Sequence, residues 1–213
     1  MILVPAGHTG PKQELTGKIH DNININNTGN PNKYLTHYLH DEENDPVLAL
    51  FRKNNLQNNI NDKVKVIFVP CYLNGHDGVF NLSYYDVLIG MDMTVFPSYY
   101  EPWGYTPLES IAFSVPTITS DLSGFGRWVA KQPQDITEGV GVVHRSDYNQ
   151  YDATVKIAQM ICQFSSLEQS QVENIRSIAA SISLKALWEN FIQYYYEAYN
   201  IALTQKNLRL GKH

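Results

Sequence analysis

Short runs of β-branched and aromatic residues recur along this chain, separated by stretches with helical spacing. Runs of this length and composition are typical of buried strands. They lie at residues 2–4, 63–69, 94–96, 115–119 and 140–143. Strands that alternate with helices need crossover connections, which make neighbouring strands parallel. The pattern therefore predicts an α/β fold with a parallel sheet and flanking helices.

Helical spacing and helix-start residues predict the elements between these strands. The predicted helices cover residues 34–40, 46–54, 83–90, 107–113 and 124–131. From about residue 152 the pattern stays helical to residue 200, with breaks near Ser165 and Ser183, and residues 184–213 form a predicted C-terminal helix and tail. Residues 7–32 are rich in Gly, Asn, Pro and Lys, which predicts a flexible insert.

The last predicted helix carries an apolar stripe. Its members are Trp188, Phe191, Ile192, Tyr195 and Tyr199. Such stripes are the usual signature of core packing. We therefore expect this face to dock on the sheet rather than to bind a ligand by stacking.

Composition excludes several classes of function. The chain has 213 residues, 43% hydrophobic and 17% charged, which is enough for one substantial core, so we expect residues 1–213 to form a single domain. A net charge of -5, without basic runs that interleave with aromatics, predicts no nucleic-acid partner. The apolar runs are too short to span a bilayer and no leader pattern is seen, so we expect no membrane association.

Cysteine and histidine spacing predicts no metal site. Cys71 and Cys162 are far apart, which indicates neither a disulfide framework nor a ligand cluster and favours a reducing cytoplasm. The seven histidines are scattered. His37 and His40 could share a helix face, but no carboxylate stands at metal-site spacing from them.

Two partial phosphate-binding motifs fail on spacing. Gly10 and Gly17 are too far apart for a P-loop, and Ile19 stands where a hydroxyl should bind magnesium. Gly124 and Gly126 offer half of a dinucleotide-binding fingerprint without its third glycine. We interpret this glycine pair as structural.

A strand-to-helix junction over residues 93–109 carries most of the candidate chemistry. Pro97 ends the strand, and Thr106 and Pro107 suit the N-cap and the first helical position. Glu109 falls three residues after Thr106, which completes a predicted capping box. The amides of the first helical turn lack intrahelical partners, and the helix dipole favours a negative charge beside them. A phosphate would bind well there.

Two carboxylates frame this junction, Glu101 in the loop and Glu109 in the first helical turn. Each has a structural alternative, because Glu109 can serve the capping box and Glu101 can be a solvated loop residue. The loop is aromatic and contains Tyr99, Tyr100, Trp103, Gly104 and Tyr105. Such aromatic character, with a glycine that permits close backbone approach, favours a ligand-binding interpretation.

The segment from Phe96 to Glu109, followed by Leu122-Ser-Gly-Phe-Gly126, resembles the C-terminal nucleotide-binding domain of the animal and fungal type of glycogen synthase, glycosyltransferase family three. Other positions in register are Asp45-Pro46, residues 64–68, Tyr84, Trp188 and Tyr194-Tyr195. The similarity runs from about residue 36 onward. It implies a Rossmann-like domain that is the C-terminal half of a two-domain GT-B glycosyltransferase, without the N-terminal acceptor domain.

The resemblance implies transfer of glucose from UDP-glucose to an α-1,4-glucan with retention at the anomeric carbon, without metal or other cofactor. Glu101 would be the catalytic residue, in contact with the hydroxyls of the donor glucose, and Glu109 would bind the ribose. The other implied substrate-binding residues are Tyr72, Tyr84, Trp103, Gly104, Tyr105 and Thr106. Tyr84 would stack on uracil beside Tyr72, and backbone amides at the start of the helix would hold the diphosphate.

The same resemblance exposes departures from the family. The acceptor contacts, and the arginine and lysine that neutralise the diphosphate, belong before the strand at residue 2, so we expect the chain to be inactive alone. The α-glucan would bind through the missing domain, and the exposed edge leaves self-association open. The helix that senses glucose 6-phosphate through several arginines corresponds to residues 168–183, which hold only Arg176. This predicts no activation by glucose 6-phosphate.

Two rival interpretations stay open. Within the same fold, the chain could belong to another sugar-nucleotide transferase or to an epimerase, because fold alone does not fix the substrate. The sheet could also survive in a non-catalytic module, either as a nucleotide sensor or as a partner-docking domain that uses its aromatic final helix.

Overall fold

The computed structural model describes residues 2–3, 8–12, 34–130 and 138–210. The chain divides into an N-terminal unit, residues 1–87, and a C-terminal unit, residues 88–213. Among the described residues, no helix has both the length and the apolar character needed to cross a membrane.

The described residues of the N-terminal unit form two small strand pairs and one full helix. Its elements are β1 (Ile2–Leu3), β2 (His8–Pro11), β3 (His37–Leu39), α1 (Pro46–Lys53) and β4 (Phe68–Val69), and α2 (Tyr84–Ile89) begins within it. Strands β1 and β4 are parallel, whereas β2 and β3 are antiparallel. Helix α1 begins where predicted, because the Asp45 carboxylate accepts hydrogen bonds from the amides of Val47 and Leu48.

Two predictions for this unit are wrong in detail. The helix predicted at residues 34–40 is replaced by β3, in which exposed Tyr38 alternates with buried His37 and Leu39, the periodicity of a strand. The strand predicted at residues 63–69 is reduced to β4. Before β4, the side-chain amide of Asn58 bonds both the N–H and the carbonyl oxygen of Val66, at 2.8 and 2.7 Å, and so replaces a neighbouring strand.

The insert predicted at residues 7–32 is described only in part. Residues 8–11 form β2, and residues 13–33 lie outside the described residues.

Burial shifts the pKa of two side chains of the N-terminal unit that lie close together, His37 and Cys71. Burial lowers the pKa of His37 from its ordinary value, so its imidazole is neutral near neutral pH. Burial, together with the negative charge of Asp77, raises the pKa of the Cys71 thiol to about 11. At neutral pH this thiol is therefore protonated.

The C-terminal unit contains a parallel three-stranded sheet with helices between and after its strands. The elements are β5 (Thr94–Phe96), α3 (Tyr105–Ala112), β6 (Thr117–Ser120), α4 (Gly124–Val129), β7 (Val140–Val143), α5 (Gln150–Ser165), α6 (Gln169–Lys185) and α7 (Trp188–Leu210). The sheet order is β5-β6-β7, with all pairs parallel. The predicted α/β class is confirmed, and the arrangement is consistent with a Rossmann-like sheet.

Helices α5 and α6 pack on the sheet through two apolar clusters. The first joins Ile118 and Val143 to Met160, Phe164 and Ile175. The second comprises Ile111, Phe125, Val129, Val140, Ala179 and Ile182. All four residues of β6 are buried, as expected for the central strand of a covered parallel sheet.

The apolar stripe of α7 is mostly exposed. Trp188, Tyr195 and Tyr199 expose 59%, 49% and 59% of their surface, so the prediction that the stripe docks on the sheet is wrong for them. Phe191 does pack inward, with its ring 5.3 Å from that of Trp103 and 5.7 Å from that of Trp128. Helical periodicity predicted the apolar stripe correctly, but it did not predict that most of the stripe is exposed.

Candidate functional site

The part of the predicted site that belongs to the C-terminal unit lies at the carboxyl edge of its parallel sheet. The strands β5, β6 and β7 end at this edge and are followed by Pro97, Asp121 and His144. In open α/β sheets, ligands bind in the crevice outside this edge. The loop that contains Glu101 begins there.

The loop that contains Glu101 is held against the loop after β6 by backbone hydrogen bonds. The Glu101 amide donates to the Leu122 carbonyl at 3.3 Å, and the Gly124 amide donates to the Glu101 carbonyl at 3.1 Å. The Phe125 amide donates to the Trp103 carbonyl at 2.6 Å. Glu101 is half-buried, and these bonds fix its backbone without using its side chain.

Gly124 and Gly126 are required by close packing of these loops. A β-carbon on Gly124 would lie 2.3 Å from the carbonyl oxygen of Pro102, and one on Gly126 would lie 1.9 Å from that of Ser120. The Gly126 amide donates to the N-capping hydroxyl of Ser123. These contacts support the structural interpretation of the glycine pair over a dinucleotide-binding fingerprint.

Helix α3 begins at Tyr105, two residues before the first helical residue predicted, Pro107. Its N-cap is Gly104, with a left-handed backbone at φ 107°, and no side chain caps it. Thr106 is therefore the second helical residue, and the capping box predicted for Thr106 and Glu109 is wrong. The amides of Tyr105 and Thr106 lie in the first turn, where helical bonding offers no partner, and both residues are exposed. The geometry for binding an anion is retained.

Glu109 lies two residues further along α3 than predicted. It is half-buried, and the cap at Gly104 leaves it outside any capping box. Its role in binding stays a prediction.

Trp103 contributes its ring to an aromatic cluster. The ring lies 6.1 Å from that of Phe125, edge to face, and 6.0 Å from that of Trp128. The aromatic character of this loop thus has a packing component. By contrast, Tyr99 and Tyr100 expose 51% and 80% of their surface. The part of Trp103 in substrate binding stays a prediction.

The predicted residues Tyr72 and Tyr84 belong to the N-terminal unit. Tyr72 follows the end of β4 and exposes 76% of its surface. Tyr84 is half-buried at the first position of α2, and its ring meets that of Tyr85 at 5.4 Å. The Tyr84 amide donates to the Leu73 carbonyl at 3.0 Å, which places the backbone of Tyr84 beside the segment that carries Tyr72.

A polar cluster at the sheet edge was missed from the sequence. Asp121 Oδ2 lies 2.6 Å from His144 Nδ1, and Asp121 Oδ1 accepts the Arg145 amide at 2.9 Å. The Arg145 guanidinium lies over the Tyr99 ring, 3.7 Å from its centroid, and donates to the Pro97 carbonyl. Asp121 and His144 follow β6 and β7 directly, and Arg145 and Tyr99 lie two and three residues after the ends of β7 and β5. This position at strand ends is a signal that could have identified the cluster. The cluster ties together the chain segments that follow all three strands.

A family model described as glycogen synthase matches residues 23–208. The chain is 34% identical over 176 residues to glycogen (starch) synthase isoform 1 of Saccharomyces cerevisiae and 33% identical over 160 residues to the glycogen (starch) synthase of Caenorhabditis elegans. It is 32% identical over 171 residues to the liver glycogen (starch) synthase of Homo sapiens.

These matches cover most of this chain but little of the relatives. They include 79%, 75% and 80% of the chain, and 24% of each relative. The chain thus spans about a quarter of the length of the curated relatives it matches.

Proposed function

The chain belongs to the glycogen synthase family, a family of glycosyltransferases, and on that basis we propose that it is the donor-binding part of a retaining enzyme that extends an α-1,4-glucan from UDP-glucose. The fold proposed for the whole enzyme is GT-B, with this chain supplying the nucleotide-binding half. The proposed setting is the cytoplasm, and the acceptor glucan binds outside this chain. The chain alone transfers no glucose, because the residues that bind the acceptor, and the arginine and lysine that neutralise the diphosphate, lie outside this chain.

The observation that carries this proposal is the junction between β5 and α3. The amides of Tyr105 and Thr106 begin a helix whose N-terminus favours the negative charge of a diphosphate. Glu101 lies a few residues before them in a loop whose backbone is held by hydrogen bonds to the loop after β6. Departure of UDP leaves an oxocarbenium-like sugar and a charged leaving group, and pre-oriented amide donors stabilise that charge.

Recognition of the base is proposed for two tyrosines of the N-terminal unit. Tyr84 supplies the ring that stacks on uracil, and exposed Tyr72 supplies a neighbouring wall. Stacking is worth about 1–3 kcal/mol per base in known sites. Tyr85 follows Tyr84 in the same helix and packs against its ring without an assigned contact to the ligand.

Titration calorimetry of the chain with sugar nucleotides tests this function. We expect UDP-glucose to bind at least about 10-fold more tightly than ADP-glucose or UDP-N-acetylglucosamine, a difference of about 1.4 kcal/mol. Tyr84→Ala should weaken UDP-glucose binding about 5- to 150-fold because the stacking surface is lost. The circular dichroism spectrum should show that the variant keeps the secondary-structure content of the unmodified chain.

Tyr85→Ala is the matched control. It removes a tyrosine from the same helix and should leave UDP-glucose affinity within about twofold, a change below 0.5 kcal/mol. Equal weakening by both variants would show that helix packing, not stacking, is measured. Tight binding of ADP-glucose or of UDP-N-acetylglucosamine would instead favour another sugar-nucleotide enzyme.

Absence of a response to glucose 6-phosphate is a further part of the proposal. Arg176, in α6, donates to the carbonyls of Ser114 and Met91 at 3.2 and 2.8 Å, and its guanidinium lies 3.5 Å from Asp92. These internal contacts orient it toward the protein. A dianionic sugar phosphate needs several cations in one place.

We expect glucose 6-phosphate to leave the thermal midpoint of the chain unchanged, whereas UDP-glucose raises it by preferential binding to the folded state. Differential scanning fluorimetry with both ligands checks this. Glucose serves as the uncharged control. A midpoint that rises with glucose 6-phosphate but not with glucose would contradict the prediction.

A further inference from the structure

Three side chains that can ligate metals converge in the N-terminal unit. They are His37 of β3, Cys71 shortly after β4, and Asp77 in the loop that follows, and their ligand atoms all lie within 4.8 Å of one another. His37 is fully buried and Cys71 exposes only 4% of its surface. The separation of 34 residues between His37 and Cys71 matches no metal-binding sequence motif, so only the fold brings them together.

The imidazole of His37 is oriented as metal-binding histidines are. Its Nε2 lies 2.8 Å from the backbone carbonyl oxygen of Asp77. A carbonyl can only accept a hydrogen bond, so Nε2 carries the hydrogen and Nδ1 carries the lone pair. Histidine ligands usually donate their second ring N–H to a carbonyl or carboxylate, which fixes the tautomer and the ring orientation.

The lone pair of Nδ1 faces the Cys71 thiol. Cys71 Sγ lies 3.8 Å from Nδ1. A zinc ion with bonds of about 2.1 Å to nitrogen and 2.3 Å to sulfur, at a tetrahedral angle, separates the two ligands by about 3.6 Å. Thr36 Oγ1 also lies 2.8 Å from Nδ1, but its hydrogen has a second acceptor in the Phe68 carbonyl, 3.1 Å away. The nitrogen can therefore exchange this hydroxyl for an ion without leaving the hydroxyl unpaired.

The Asp77 carboxylate is held in place by backbone amides. It accepts hydrogen bonds from Val79, Phe80 and Asn81 at 2.9, 2.7 and 2.9 Å. A carboxylate has about four lone-pair positions, so these bonds leave capacity for a metal. Its negative charge also complements a cation beside a neutral imidazole.

We propose that His37 Nδ1, Cys71 Sγ and an Asp77 carboxylate oxygen bind one zinc ion, with water as the fourth ligand. Nitrogen, sulfur and oxygen donors in a tetrahedral arrangement are the set that zinc prefers. On binding, the thiol proton is lost to solvent and the sulfur–zinc bond takes its place. The three ligands are not among the residues proposed for sugar-nucleotide binding, although Tyr72 follows Cys71 directly in the chain.

Zinc affinity of the chelator-treated chain, measured in competition with a chromophoric chelator, tests the proposal. We expect one tightly bound zinc ion per chain. Cys71→Ala should weaken binding at least about 100-fold, because loss of a direct ligand costs no less than loss of its supporting bonds. His37→Gln should do the same, since glutamine retains an N–H donor toward Asp77 but removes Nδ1.

Cys162→Ala is the matched control, because Cys162 is an exposed thiol on α5. It should bind zinc like the unmodified chain. Zinc affinity that is unchanged in Cys71→Ala, or lost in Cys162→Ala, would overturn the proposal.

Cobalt spectroscopy on the unmodified chain keeps the proposal testable if the buried variants fail to fold. Cobalt(II) should give the intense visible bands of a tetrahedral site together with a near-ultraviolet thiolate-to-cobalt charge-transfer band. The same spectrum should persist in Cys162→Ala. A weak octahedral spectrum without charge transfer would show binding to surface groups only, and the proposal would be wrong.

Discussion

Replacing Gly126 by alanine is expected to destabilise the C-terminal unit by about 3 kcal/mol or more. The added β-carbon would lie 1.9 Å from the carbonyl oxygen of Ser120, a backbone atom at the end of central strand β6. Relief requires α4 to move away from the strand. That movement would break the bonds from the Gly124 and Phe125 amides to the loop of Glu101, so UDP-glucose binding should fall as well.

Urea unfolding followed by tryptophan fluorescence measures this loss, because the three tryptophans of the chain lie in the C-terminal unit. Gly141→Ala in β7 is the matched control. Its β-carbon would approach the sulfur of Met160 at 2.8 Å, and a flexible thioether side chain can move aside. We expect Gly141→Ala to cost less than about 1.5 kcal/mol. Similar stability of the two variants would contradict a rigid contact at Gly126.

The sequence predicted those elements in which local pattern and tertiary environment agree. The strands at 94–96 and 140–143 appear with their predicted limits as β5 and β7, because apolar β-branched runs fit a buried parallel sheet. The three C-terminal helices appear with breaks close to the predicted positions. The start of α1 was also readable, since the Asp45 cap acts through residues adjacent in sequence.

The predictions failed where the backbone or distant contacts decide the structure. The start of α3 depends on a left-handed backbone conformation at Gly104. The sequence offered Thr106 as a good capping residue, and the predicted start of the helix was therefore too late. The strand at His37–Leu39 depends on pairing with β2, which local helical spacing could not reveal. The exposed stripe of α7 shows that periodicity defines an apolar face but not its partner.

The candidate site was predictable in part for the same reason. Glu101, Gly104 and Glu109 lie in one short segment whose strand, loop and helix follow from local sequence. The cluster of Asp121, His144 and Arg145 needs the register of three parallel strands, and the convergence of His37 with Cys71 needs the folded N-terminal unit. Residues brought together by strand order are the ones that pattern analysis of a single sequence misses.

Replacing Glu101 by glutamine is expected to lower the affinity for UDP-glucose about 10- to 150-fold while leaving the affinity for UDP unchanged. Under the proposed function, the Glu101 carboxylate accepts hydrogen bonds from glucose hydroxyls, and bonds to a charged group are worth about 1.5–3 kcal/mol. Glutamine preserves size, and the loop is held by backbone bonds, so the variant should fold normally. Calorimetry with both ligands measures the difference.

Glu109→Gln provides the matched comparison, because ribose is common to both ligands. It should weaken UDP and UDP-glucose by similar factors. The ratio of the two affinities therefore separates a glucose contact from a nucleotide contact, whatever the absolute values. If Glu101→Gln leaves UDP-glucose binding intact, the glucose role is wrong and a module that recognises only the nucleotide is favoured. A residue that contacts only the sugar cannot change the affinity for UDP. If Glu101→Gln and Glu109→Gln weaken the binding of both UDP and UDP-glucose by equal factors, the loop and the helix therefore act as one nucleotide site.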